Sequence, residues 1–160
     1  MKLEFRQKIL EALGIKEEDL DTPDFPKVNK DNWRVFWMLH DIRDFSFEEF
    51  IRRRADMEQG YMDGRVIVRL QKMRDILGFP ITISSGYRSE EWNRRIGGAK
   101  NSLHLVGKAV DVVFKNAKEK MALISVGALF FNGVIVYDKH IHFDLRSYPY
   151  FSLSLGGKQD

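Results

Sequence analysis

Four side chains in the second half of the chain have the types and spacing to hold a metal ion: His104, Asp111, His140 and His142. Asp111 stands inside the apolar run "KAVDVVF", where a carboxylate is costly unless it is paired or bound to a cation. Neutral imidazole and carboxylate suit zinc, whose catalytic sites take about three protein ligands and leave one position for water. The chain therefore offers four candidates for three places. His140 and His142 could both ligate from one strand, or one could ligate while the other works as a base, and periodicity leaves that choice open. Hydrogen-bonded histidines and salt-bridged carboxylates, with no metal, would also account for these residues.

Strand alternation assigns each of these side chains a face. In "HIHFDLR", residues 140–146, His140, His142, Asp144 and Arg146 share one side, and Ile141, Phe143 and Leu145 the other. In "KAVDVVF", Asp111 falls with Ala109 and Val113, opposite Val110, Val112 and Phe114. Asp111 joins the histidines if the two strands share a sheet in matching orientation. "GVIVYD", 133–138, predicts a strand just before "HIHFDLR" with only Lys139 between them, and "ITIS", 81–84, predicts a fourth.

Helices must pack the apolar side of such a sheet. Helical spacing predicts one over 2–13, ending at Gly14, and a short aromatic one over 32–40, with Trp33, Phe36 and Trp37 as packing residues and His40 packed or exposed. Ser46 and Glu49 form a capping-box pair ahead of a helix expected over 47–57. A second, over 62–77, is stopped by Gly78 and Pro80. Residues 89–96 read as a helical turn, and "MALISVGALFF" as a helix behind a second capping-box pair, Asn116 and Glu119. Residues 16–32, with two prolines and many charges, read as a linker or an irregular wrap.

With 160 residues, 44% of them hydrophobic, the chain can bury one ordinary core. The formal charge of +3 gives only a mild preference for anionic surroundings, and Arg52-Arg53-Arg54 reads as a solvated helix face, so no nucleic-acid partner is expected. There is no cysteine, which excludes disulfides and thiolate ligands and leaves His, Asp and Glu for any transition metal. No run approaches the ~20 apolar residues of a membrane span. The charged N-terminus lacks the apolar core of a signal peptide, so synthesis in the cytoplasm without an export signal is expected.

"SGYRSEEWNRRIGG" at 85–98, then S-x-H-x-x-G-x-A-x-D at Ser102, His104, Gly107, Ala109 and Asp111, then "HIHFD" at 140–144, resembles one family of zinc peptidases. This is the D-alanyl-D-alanine carboxypeptidase and L-alanyl-D-glutamate endopeptidase family, which shares its fold with the hedgehog signalling domain. The resemblance covers residues 46–146. It implies an α+β fold in which a small, mainly antiparallel sheet is packed by helices on one face and carries a zinc cleft on the other. It implies Zn2+ held by His104, Asp111 and His142, which leaves His140 free beside the metal. Arg88 resembles the family arginine that holds the scissile carbonyl or a substrate carboxylate, a task suited to a guanidinium that stays charged and bonds twice in parallel.

The chain departs from the pattern at the general base. Several relatives place a carboxylate three residues before the last zinc histidine, and that position is Lys139 here. Asp138 and His140 flank it, and His140 is preferred because it shares the metal face and titrates near neutrality. Tyr87, Ser102 and Tyr137 are expected to line the substrate groove, Asn93 and Ser102 to tie down the loop, and Asp144 to orient His142 or an arginine. Gly97, Gly98 and Gly107 are expected to permit tight turns or close backbone approach. Three segments are expected: an N-terminal helical extension over 1–45, the catalytic domain over 46–152, and a frayed tail over 153–160. The implied function is hydrolysis, by a monomer, of peptide bonds involving D-amino acids in peptidoglycan stem peptides, as a carboxypeptidase or an endopeptidase, and endolysin-like if the protein reaches the cell wall through lysis. The alternative is a non-catalytic zinc-containing binding or virion structural module on the same fold.

Overall fold

The computed structural model describes residues 3–154. Helix α1, Leu3–Ala12, matches the helix expected over 2–13, whose first residue lies outside the described ones. A 3-10 turn at Glu17–Leu20 then buries Leu20 completely. Strand β1, Val28–Asn29, leads to α2, Trp33–Leu39. Phe36 is fully buried, Trp33 stacks on Phe47 at 6.1 Å, and Trp37 Nε1 donates to the Phe45 carbonyl at 2.7 Å. His40 is half-buried with its ring 4.3 Å from that of Phe36.

The helix expected over 47–57 is a single turn, α3, Phe47–Phe50, followed by a 3-10 turn at Arg54–Asp56. Ser46 N–H donates to Glu49 Oε2 at 2.6 Å, so the start signal was sound. Tertiary bonds stop the helix: the Phe50 carbonyl accepts from Tyr87 N–H at 2.9 Å, and Arg52 reaches the Ile83 carbonyl at 2.7 Å. The three arginines accordingly share no helix face, and Arg53 lies over the Trp92 ring at 4.3 Å. Met62, expected to open the next helix, instead ends β2, Tyr61–Met62, which pairs with β1. Helix α4 begins at Gly64, where the Asp63 carboxylate accepts from Arg65 N–H at 3.0 Å, and runs to Leu77.

The remaining elements are β3 (Thr82–Ser85), α5 (Glu90–Arg95), β4 (Ala109–Val113), α6 (Ala117–Phe130), β5 (Gly133–Val136), β6 (His140–Asp144) and β7 (Tyr150–Leu153). They build a five-stranded sheet in the order β3-β4-β6-β5-β7, antiparallel throughout except for the parallel pair β5 and β7. Strand β7 has no counterpart in the expectations, and Leu153, placed there in a frayed tail, is its last residue. Ser154 N–H still bonds the Val136 carbonyl at 2.8 Å, and residues 155–160 of that tail lie outside the described ones.

The sheet's two faces divide as alternation requires. Val110, Val112, Ile141 and Phe143 are fully buried and pack in one core with Ile67 and Leu70 of α4 and Leu123 and Phe130 of α6. Each such side chain contributes roughly 1.5–3 kcal/mol relative to exposure. The opposite face of β4 and β6 carries Asp111, His142 and Asp144.

Candidate metal centre

His104 sits in a 3-10 turn, Leu103–Val106, that Ser102 opens and Gly107 closes. Ser102 Oγ accepts from His104 N–H at 3.4 Å. Gly107 has φ +65°, and a Cβ there would run into the Tyr61 carbonyl, so both conformation and space call for glycine. Its carbonyl accepts from Asp63 N–H at 2.9 Å, tying the turn to the start of α4. Asp111 and His142 are directly opposite in the β4–β6 ladder, which brings carboxylate and imidazole together on the polar face.

His104, Asp111 and His142 meet, all three buried. Asp111 Oδ1 lies 3.1 Å from His104 Nε2 and 2.9 Å from His142 Nδ1, and the two nitrogens are 3.2 Å apart. The far side of each ring assigns its tautomer. His104 Nδ1 is 2.6 Å from the Gly86 carbonyl, which can only accept, and His142 Nε2 is 2.9 Å from Asp144 Oδ2. In their neutral forms both rings therefore turn lone pairs toward an ionised carboxylate oxygen. Three acceptors this close require a cation among them. Tetrahedral zinc with bonds of about 2.0–2.2 Å sets its ligand atoms about 3.3 Å apart, so the three donors fit one face of such a tetrahedron.

Electrostatics match that arrangement. Burial pulls the His104 imidazole below its ordinary value despite Asp111. Burial alone would raise the Asp111 carboxyl, but the two imidazoles outweigh it and hold Asp111 well below the carboxylate range. At His142 burial acts downward, yet the hydrogen bonds to Asp111 and Asp144 prevail and push it up to about 9, so without a metal a proton occupies the gap. Asp144 is held low, burial notwithstanding, by Arg146 and His142.

Arg88 is 2% exposed, with Nη2 donating to Asp111 Oδ2 at 2.6 Å and Nε to Ser85 Oγ at 2.8 Å. It thus grips the carboxylate oxygen that faces away from the other two ligands. His140 is half-buried at the head of β6, on the metal face, with its ring stacked on Tyr137 at 4.5 Å, and burial lowers its pKa. Asp138 stands exposed in the turn between β5 and β6, beside exposed Lys139. Tyr137 is itself buried, while Tyr87 pairs with the Tyr61 ring at 5.5 Å.

Two cavities meet at Ser102 and Leu103. One, of about 330 Å³, reaches His142 and Asp144 between Ile135, Arg146 and Tyr150. The other, of about 660 Å³, contains Tyr61, Tyr87, Glu90 and Lys100. Asn93 donates to the Ala99 carbonyl at 2.8 Å, tying down the loop that leads to Ser102. Sequence reasoning missed Ser85, the Gly86 carbonyl and Tyr150. Tyr87 and Arg88 marked that segment, but a backbone acceptor leaves no trace in residue type.

Comparison with known proteins agrees with this geometry. The family described as Peptidase M15 matches residues 43–144, which include Arg88, His104, Asp111, His140, His142 and Asp144. A zinc D-Ala-D-Ala carboxypeptidase from Streptomyces albus G is 47% identical over 45 residues, which is 28% of this chain and 18% of that relative's length.

Proposed function

The chain belongs to the peptidase M15 family, and from that premise we propose that it is a zinc metallopeptidase cleaving peptide bonds next to D-amino acids in peptidoglycan stem peptides. The convergence of His104 Nε2, Asp111 Oδ1 and His142 Nδ1 on one point carries this reading. Zinc bound there supplies a Lewis acid that acidifies a water and polarises the scissile carbonyl. His140, uncharged near neutral pH, takes a proton during attack and passes it to the leaving amine. Arg88 fixes Asp111 and keeps a permanent positive charge beside the metal position, where charge develops on the carbonyl oxygen. The two cavities along Ser102 and Leu103 give a peptide room on either side of that segment.

The name of the Streptomyces relative favours a D-Ala-D-Ala bond, and cleavage between L-Ala and D-Glu is the other position open to the same centre. Mass spectrometry of muropeptides incubated with the zinc-loaded protein tests both. Loss of a terminal alanine supports the carboxypeptidase form, and separation of the stem at its first residue supports the endopeptidase form. Intact muropeptides with a fully zinc-loaded protein would contradict the proposal and favour a binding module.

A further inference from the structure

We infer that Arg146 is a positioning residue of the metal centre, setting the carboxylate that orients His142. The inference rests on the zinc reading above and concerns how one ligand is held. Four bonds join Arg146 to Asp144: backbone N–H to Oδ1 at 3.0 Å, Nε to Oδ1 at 2.8 Å and to Oδ2 at 3.1 Å, and Nη2 to Oδ2 at 2.5 Å. A fork of this kind fixes both oxygens in the plane of the guanidinium. Oδ2 is also the atom 2.9 Å from His142 Nε2.

The neighbours allow the carboxylate little other freedom. Asp144 is completely buried, and a Cβ at position 133 would overlap its carboxylate, so Gly133 leaves room for the group and no more. Arg146 is held in turn, with the Tyr150 ring 4.4 Å from its guanidinium and its carbonyl accepting from Asn132 Nδ2 at 2.7 Å. A continuous chain of contacts thus runs from the end of β6 to the metal position.

The two histidine ligands differ in what holds them. His104 takes its orientation from the Gly86 backbone carbonyl, which the fold itself immobilises. His142 depends on a side-chain carboxylate, free to rotate unless something grips it. Arg146 supplies that grip, whereas the acceptor on the His104 side is the Gly86 backbone carbonyl.

Zinc dissociation constants from chelator competition, for the wild type, Arg146→Gln and Arg146→Lys, test this. Losing the partner behind a ligating histidine weakens metal binding by about 10–100-fold; Arg146→Gln keeps Asp144 but frees it to rotate, so a fall of several-fold up to about 10-fold is expected. Arg146→Lys keeps the charge but loses the fork, so it is expected to remain weaker than wild type. In the zinc-loaded 15N-labelled protein, the His142 Nε2–H proton should give a downfield resonance that Arg146→Gln broadens or abolishes. A folded Arg146→Gln that binds zinc within about twofold of wild type and keeps that resonance would reduce Arg146 to a tie at the strand end. Should Arg146→Gln fail to fold, Arg146→Lys decides by the same readouts, and wild-type behaviour there overturns the inference. A wild-type protein that takes up no zinc overturns the metal reading and this inference together.

Discussion

Whether His104 and Asp111 chelate or merely pair depends on where the protons lie. The Gly86 carbonyl and Asp144 each claim the outer nitrogen of one imidazole, so in the neutral rings the inner nitrogens present lone pairs toward Asp111, and without a metal a proton on His142 fills the gap. The metal face was legible because alternation in "HIHFDLR" and "KAVDVVF" sorts side chains by side, and the β4–β6 register places Asp111 against His142 as that sorting requires. The grip of Arg88 on Asp111 was not legible, since it spans 23 residues and depends on the turn after β3. The proton acceptor gives the residue-scale prediction. His140→Gln should lower hydrolysis by about 10²–10⁴-fold with zinc content unchanged, read from turnover and metal analysis on the same sample. Undiminished turnover would pass the role to Asp138.

Strand β6 is where stability and chemistry share a backbone. Phe143 is fully buried against the helices, and the residues on either side of it, His142 and Asp144, face the metal position. Phe143→Ala should cost about 3–5 kcal/mol, measured by urea unfolding of the metal-free protein, and should weaken zinc binding as the strand loses its anchor. A variant with unchanged stability would contradict the division of faces. The long helices α4 and α6 were legible from their apolar residues, the Gly78 stop of α4 and the Asn116 cap of α6, whereas the start of α4 at Gly64, capped by Asp63, falls two residues after the expected one. Strand β7 was not, because Tyr150, Phe151 and Leu153 are all exposed and an edge strand of that kind carries no alternating pattern. The helix expected over 47–57 failed for another reason: propensity and a sound cap lose to the bonds that Phe50 and Arg52 make with the segment around β3.

Across the whole molecule the first 45 residues share the core of the peptidase segment. Leu10, Leu20, Val28 and Phe36 belong to the same buried cluster as Ile67, Phe130 and Phe143. Removing residues 1–45 should therefore abolish cooperative thermal unfolding followed by circular dichroism, whereas a sharp transition in the shortened chain would mark them as a dispensable extension. The central claim is that one zinc ion is held by His104, Asp111 and His142. An anomalous difference map from zinc-soaked crystals, recorded at the zinc absorption edge, tests it most directly. A single strong peak about 2.0–2.2 Å from His104 Nε2, Asp111 Oδ1 and His142 Nδ1 is predicted. Peaks confined to other residues, with those three atoms bare, would contradict it.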